Sequence, residues 1–239
     1  MRLFLTLRPR RYIWLLAAIL FAFALLLLRG TGRRGLTGAE IGQRAQQELQ
    51  RTASYRFELA VRTVIDGQEA MVSQVEGEFV RPDLYHIKGR SYDYPLEMYQ
   101  LGSEIYFKDP ADGKWKVARG GPNLVAEAVN LGTSPLVDFL QAENFELVVQ
   151  ERLDGREYYH LCTPLGEVTN DYWRVFFSDF LLETWVERSN FKIERVRLLG
   201  SNRSVPGDKL EIELKLFDHD APIVITPPPV EGGPSNEKQ

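Results

Sequence analysis

The chain has 239 residues, of which 44% are hydrophobic and 26% are charged, and its formal net charge is −4. This charge disfavours nucleic-acid binding, because phosphate contacts require clustered Lys and Arg. The single cysteine, Cys162, excludes an internal disulfide. We expect Cys162 to be buried as a small apolar side chain.

An uninterrupted apolar run, YIWLLAAILFAFALLLL, occupies residues 12–28. As a helix it would be about 26 Å long, near the lower limit for crossing the hydrocarbon core of a membrane. Arginines flank both ends, and the small excess before the run predicts a cytoplasmic N-terminus with the following domain outside the cell membrane. A cleaved signal peptide is the alternative. Arginines crowd its candidate cleavage site at residues 30–32, which favours an uncleaved single-pass anchor.

The chain divides into four predicted regions. Residues 1–29 form a cytoplasmic tip and the anchor, 30–38 a linker, 39–228 the folded domain and 229–239 a disordered tail. Residues 37–40 have the pattern of a capping box, which predicts a leading helix through Arg51. The hydrophobic period then changes to two, which predicts strands over residues 54–65, 71–80, 84–91, 96–101 and 105–108. Asp66-Gly67 is a strong hairpin signal between the first two strands.

The strand pattern stops between residues 122 and 141. Apolar spacing there predicts one helix and a second short helix from Pro135, together forming a lid hinged at Gly120-Gly121. Residues 169–180 predict a helix or an irregular crossing. Strands return over residues 145–152, 157–163, 183–187, 191–199 and 209–217. The predicted fold class is α+β: an N-terminal transmembrane helix followed by one large curved antiparallel sheet of about ten strands, with a leading helix and inserted lid helices.

A sheet bent around helices too small to fill it leaves an apolar pocket. If the alternation holds along each strand, ten side chains are candidates for the wall that binds a hydrophobic ligand: Tyr55, Phe57, Leu59, Val75, Phe79, Tyr85, Ile87, Met98, Ile212 and Leu214. Five aromatic residues, Trp115, Trp173, Trp185, Tyr158 and Tyr159, belong either to that pocket or to the ordinary core, and the core is favoured.

Three segments carry a resemblance to a known family: RPDLYHIKG, LEMYQLGSEIYFKDPADGKW and the final KLEIELKLFDHDAPIVITPPP. Their order after an amphipathic helix resembles the LolA-like lipoprotein-carrier superfamily, over residues 38–228. The resemblance implies a half-barrel closed by helices around a cavity that holds acyl chains. Some members of the superfamily act instead as sensors that regulate a partner. A tethered chain departs from a soluble shuttle, which favours local capture, handover or sensing.

The sequence contains no phosphate loop, dinucleotide glycine pattern or nucleophile elbow. The three histidines have no metal-ligand spacing, so we predict neither catalytic residues, nor a metal, nor a cofactor. The chain is therefore predicted to be a non-enzymatic binding protein of the bacterial cell envelope, with a lipid or acyl chain as ligand. The alternative is a structural or signalling module that docks an envelope protein partner and holds no ligand.

Overall fold

A computed structural model describes residues 35–119, 135–205 and 207–229. The predicted anchor at residues 12–28, the first lid helix with its hinge at residues 120–121, and nearly all of the predicted tail lie outside these residues. Within the described ranges, no helix is long and apolar enough to cross a membrane. Thr37–Gln239 forms one compact unit.

The leading helix, α1, spans Gly38–Arg51 and begins with the predicted capping box. The Glu40 backbone N–H donates to Thr37 Oγ1 at 3.3 Å, and the Thr37 backbone N–H donates to Glu40 Oε2 at 2.8 Å. These hydrogen bonds satisfy two donors that a helix N-terminus leaves unpaired, and they lower the pKa of Glu40. The buried side of α1 includes Ile41, Ala45 and Leu49.

Eleven antiparallel strands form one open sheet in the order β6-β5-β4-β3-β2-β1-β11-β10-β9-β8-β7. The chain therefore starts in the middle of the sheet, runs outward to one edge, and returns from the opposite edge until β11 pairs with β1. The strands are β1 (Ser54–Ile65), β2 (Gln68–Val80), β3 (Leu84–Ser91), β4 (Tyr94–Leu101), β5 (Glu104–Lys108), β6 (Trp115–Arg119), β7 (Glu146–Leu153), β8 (Arg156–Leu165), β9 (Phe177–Glu187), β10 (Ile193–Asn202) and β11 (Lys209–Phe217).

The structure corrects the predicted elements in two places. Strand β6 was not predicted, because its five residues include two basic side chains and its extended form depends on pairing with β5. Strand β9 begins at Phe177, inside the segment that predicted a helix or a crossing. The short helix predicted from Pro135 is confirmed as α2, at residues 135–141. A further helix, α3, spans Asp171–Phe176.

The sheet has two unlike faces. Along β1, Tyr55, Phe57, Leu59 and Val61 are buried, whereas the intervening positions 56, 58, 60 and 62 are half-buried or exposed. Because cross-strand partners share a face, the same division extends over the neighbouring strands. We call the first side the apolar face and the second the polar face.

Candidate functional site: the apolar face

The ten predicted wall residues lie on the apolar face. Tyr55 pairs with Phe79 and Phe79 with Tyr85, while Leu59 lies between Val75 and Leu214. Phe57, Ile87, Met98 and Ile212 belong to adjoining rows on the same side. Nine of the ten are buried, and Tyr85 is half-buried. The predicted common face is thus confirmed, while the ligand-binding role of these residues stays a prediction.

The apolar face extends further than the predicted wall. Val196 pairs with Leu214, Leu198 with Ile212, and Leu182 with Leu198, and all of these side chains are buried. The same alternation would have identified Val196 and Leu198 in the predicted strand 191–199, whereas Leu182 lies just before the predicted strand 183–187. The apolar surface therefore runs across both halves of the sheet.

A glycine shapes the centre of this face. Gly77 lies between Phe57 and Ile87 in the pairing register. A Cβ atom at Gly77 would lie 2.3 Å from Cζ of Phe57, so the absence of a side chain lets the Phe57 ring lie across β2. Beside it, the rings of Tyr55 and Phe79 and those of Phe79 and Tyr85 are each 4.8 Å apart. Burial raises the pKa of Tyr55, so its hydroxyl stays protonated.

Helix α1 packs against the start of β7 through two glycines. A Cβ atom added at Gly38 would lie 2.4 Å from the Phe145 carbonyl oxygen, and one added at Gly42 would lie 2.1 Å from the Phe145 ring. The Phe145 ring also packs on Phe139 of α2, with the centroids 5.2 Å apart. Gln46 extends this contact, because its Nε2 donates to the carbonyl groups of Phe139 at 2.8 Å and Ala142 at 2.9 Å. Helix α1 thus holds the C-terminus of α2 in place.

Helix α3 bridges the two halves of the sheet at one end. Loss of solvation, followed by the nearby Tyr172 hydroxyl of α3, raises the pKa of Tyr92 in the β3–β4 turn. The carbonyl group of Phe176 accepts from the Arg203 N–H of the β10–β11 loop at 3.3 Å. Trp173 is buried and packs on Phe177 at the start of β9. We call this end of the sheet, with the β1–β2 and β3–β4 turns, the β10–β11 loop and α3, the α3 end.

The described helices cover the apolar face unevenly. Helix α1 packs on β7 and β8, and α3 packs on β9. Neither α1 nor α3 packs to the same extent on β3, β4 or β5. This part of the face carries the buried side chains of Ile87, Met98 and Ile105.

The polar face carries a cleft of about 740 Å³. Its charged side chains form ion pairs with one another: Lys88 Nζ lies 2.9 Å from Glu76, Lys108 Nζ 3.6 Å from Glu97, and Arg62 Nη1 3.7 Å from Glu213. Because the charges compensate in pairs, the cleft presents no strong field of one sign. It is therefore a poor match for an anionic ligand.

Part of the aromatic set lies on the polar face. Trp185 stacks on His160 with ring centroids 4.3 Å apart, and the guanidinium groups of Arg195 and Arg197 lie 5.3 and 5.6 Å from its ring. Tyr158 donates to Glu194 at 2.5 Å; loss of solvation, followed by this contact, raises the pKa of Tyr158 to about 12. Both side chains are buried, but on the polar face, so they do not belong to the apolar pocket.

The other three aromatic residues divide between the two faces. Trp115 is on the polar face beside Tyr99, at a centroid distance of 5.5 Å. Trp173, which belongs to α3, is buried, and Tyr159 lies in the same row as the buried Val186. The predicted core position is thus correct for these last two, and wrong for Trp115.

The expectation for Cys162 was wrong, because its thiol is only half-buried. It lies on the polar face of β8, opposite Glu146 and Glu183. Loss of solvation raises the pKa of the thiol, and the two carboxylates add to that shift. Cys162 therefore favours its neutral form. Over the described ranges, no group of three or more His, Cys, Asp or Glu side chains is arranged to hold a metal ion.

No protein-family model and no curated protein matches the sequence. Among solved structures, lipoprotein LppX of Mycobacterium tuberculosis is 13% identical, with a TM-score of 0.52 over 78% of this chain and 96% of that one. LprF of Mycobacterium bovis is 10% identical, with a TM-score of 0.52 over 80% and 96%. The chain has the half-barrel fold of LppX and LprF. The predicted LolA-like fold is thereby confirmed, and at these identities the likeness concerns the fold alone.

A third similar structure is the LolA superfamily protein NE2245 of Nitrosomonas europaea. It is 13% identical, with a TM-score of 0.32 over 77% of this chain and 95% of that one.

Proposed function

We propose that this protein binds a lipid or an acyl chain on its apolar face and acts as a local carrier or sensor in a bacterial cell envelope. The site comprises the ten predicted wall residues, which lie on β1 to β4 and β11. Residues 12–28 anchor the chain in the cell membrane as a single pass, with the folded domain outside the cytoplasm. The main support is the continuous apolar face, which runs across both halves of the sheet.

The energetics of such a site follow from burial. Each buried methylene contributes about 0.8 kcal/mol, so roughly ten methylenes gain about 8 kcal/mol before the cost of association. The wall side chains Ile87, Met98 and Val75 offer only carbon and sulfur atoms to a ligand. Affinity would therefore depend on chain length and not on a polar head group.

The first experiment is to purify residues 35–239 without detergent and to analyse the extracted lipid by mass spectrometry. We expect an acyl-chain ligand in stoichiometric amount. If the protein is empty, it should bind an added fluorescent fatty acid. A protein that is empty and binds no probe would contradict the proposal and support the alternative of a docking module for an envelope protein.

Two tryptophan substitutions locate the site. Ile87→Trp adds volume on the apolar face, whereas Lys88→Trp adds a similar volume at the next position, on the polar face. We expect Ile87→Trp to weaken fatty-acid binding by about tenfold, because overpacking a filled site costs roughly 1–3 kcal/mol. Lys88→Trp should bind as the parent does. Both variants are first checked for cooperative unfolding. Equal binding by the two would place the ligand elsewhere.

A further inference from the structure

Exposed apolar side chains are concentrated at the α3 end. Of the fifteen large apolar side chains that are exposed in the described part of the chain, eight lie there. The eight are Ile65, Met71, Tyr92, Tyr94, Tyr172, Val175, Phe176 and Val205. They come from the ends of separate strands, from turns and from α3. The topology of the sheet, and not one apolar segment, therefore brings them together.

These side chains belong to a connected rim. Tyr172 lies beside Tyr92, and its ring lies 5.3 Å from that of Phe176. On the other side of the rim, the Asp66 backbone N–H donates to Asp208 Oδ1 at 2.9 Å, which ties the β1–β2 turn to the β10–β11 loop. The exposed side chains are therefore held in place before any partner arrives.

The chemistry of the rim is apolar and aromatic without a basic field. Val175 is 68% exposed and Tyr94 is 67% exposed. Of the cations at this end, Arg174 is paired with Glu167 at 2.9 Å and with Asp171, and Arg90 and Arg203 are balanced by Asp66, Asp93 and Asp208. Tyrosine rings suit the boundary between lipid head groups and acyl chains. Such a surface would enter a bilayer by burying apolar atoms, with little attraction to anionic head groups.

The chain also enters the folded domain at this end. Helix α1 begins at Gly38, which lies against Phe145 and Leu147 at the start of β7. By the strand register, the start of β7 is at the same end of the sheet as the end of β8 and the start of β9. The eight residues from 29 to 36 reach at most about 28 Å when fully extended. A chain that is anchored before residue 29 therefore keeps the α3 end close to the membrane.

We propose that the α3 end docks on the surface of a phospholipid bilayer by inserting its exposed apolar side chains. This docking needs no bound ligand, so it goes beyond the proposed function and can be tested separately. It also gives the exposed rim a role that packing within the domain leaves open.

The test uses the full-length chain in phosphatidylcholine vesicles, with Cys162→Ala as background. A fluorescent nitrobenzoxadiazole label is placed at Val175→Cys on the rim, or at Ser189→Cys in the β9–β10 turn at the opposite end. We expect the label at position 175 to shift to shorter wavelength and to lose fluorescence when the vesicles contain nitroxide lipids. The label at position 189 should show neither change. Raising the salt concentration should leave the result unaltered, because the rim carries no unpaired basic field.

Two additional results decide the proposal. In the labelled Val175→Cys protein, replacing the exposed Ile65 and Tyr94 by Ser should reduce the loss of fluorescence without changing the melting temperature. Equal quenching at positions 175 and 189, or none at either, would overturn the proposal. A wavelength shift at position 175 that appears without vesicles, and grows with protein concentration, would also overturn it, because a second copy of the chain would then cover the rim.

Discussion

Gly42 of α1 lies against Phe145. Whether replacing Gly42 by Ala stabilises or destabilises the protein depends on the Phe145 ring. In an isolated helix, Gly→Ala stabilises by about 1 kcal/mol. In this fold the added Cβ would lie 2.1 Å from Cδ2 and 2.4 Å from Cγ of Phe145, well inside contact distance. The ring cannot move freely, because Phe145 is buried and packs on the fully buried Phe139. Overpacking of this kind costs about 1–3 kcal/mol, and a 2.1 Å approach belongs to the upper part of that range.

We therefore expect Gly42→Ala to lower the free energy of unfolding by about 1–2 kcal/mol, the overpacking cost less the helix-propensity gain. The measurement is urea unfolding of residues 35–239, followed by tryptophan fluorescence. The difference between Gln47→Ala and Gln47→Gly, at an exposed position of the same helix, measures the propensity gain in this context.

A double-mutant cycle isolates the role of the ring. Phe145→Leu will destabilise the protein by itself, because it removes buried carbon atoms. In that background the contact with the ring is absent, so adding Gly42→Ala should stabilise by about 1 kcal/mol. The reasoning is refuted if Gly42→Ala stabilises the parent protein as much as it stabilises the Phe145→Leu variant, since the ring would then not lie against the helix.

Two further predictions concern α2. Gln46→Ala should lower the free energy of unfolding by about 1–3 kcal/mol, because it leaves carbonyl groups at the end of α2 without a donor. The control is Gln47→Ala, at the next, exposed position of α1. Equal unfolding midpoints for the two variants would contradict the prediction. Burial raises the pKa of Asp138 above its ordinary value of 3.8, although hydrogen bonds from Thr169 act in the opposite direction. The folded state therefore binds this proton more tightly than the unfolded state does. Above the folded pKa, the ionised Asp138 reduces stability. As the pH falls from 7 through that pKa towards 3.8, the stability of the parent should rise relative to that of Asp138→Asn. Parallel curves of unfolding free energy against pH for the two proteins would refute this prediction.

Local patterns explain why much of the fold could be predicted. The capping box at Thr37 and the hairpin signal at Asp66-Gly67 each act within a few residues, and the structure confirms both. Asp66 and Gly67 have φ angles of 51° and 74°, as a tight hairpin turn requires. The wall residues followed from the same reasoning, because alternation along regular strands fixes the face of each side chain.

The start of β9 shows where such reasoning stops. Phe177 and Phe180 are both buried although they are three positions apart, which breaks the period of two. Asp179 between them has a φ of 52°, so the strand is irregular at this point. The segment 177–180 therefore has the spacing of a helix while it pairs as a strand, and pairing with β10 decides the outcome. Sequence periodicity contains no information about that partner.

The position of Trp185 has a related cause, and it bears on the function. Thr184 and Val186 face the apolar side, so alternation places the large Trp185 ring on the polar face, contrary to its hydrophobicity. His160, Arg195 and Arg197 cover the ring there, and they come from strands on both sides of β9. The ring is thus buried by long polar side chains and takes no volume from the apolar face, where Thr184 and Leu182 are smaller. In this part of β9 the smaller side chains lie on the apolar face and the largest one on the polar face, which favours room for a ligand, and this arrangement depends on register that no single strand determines.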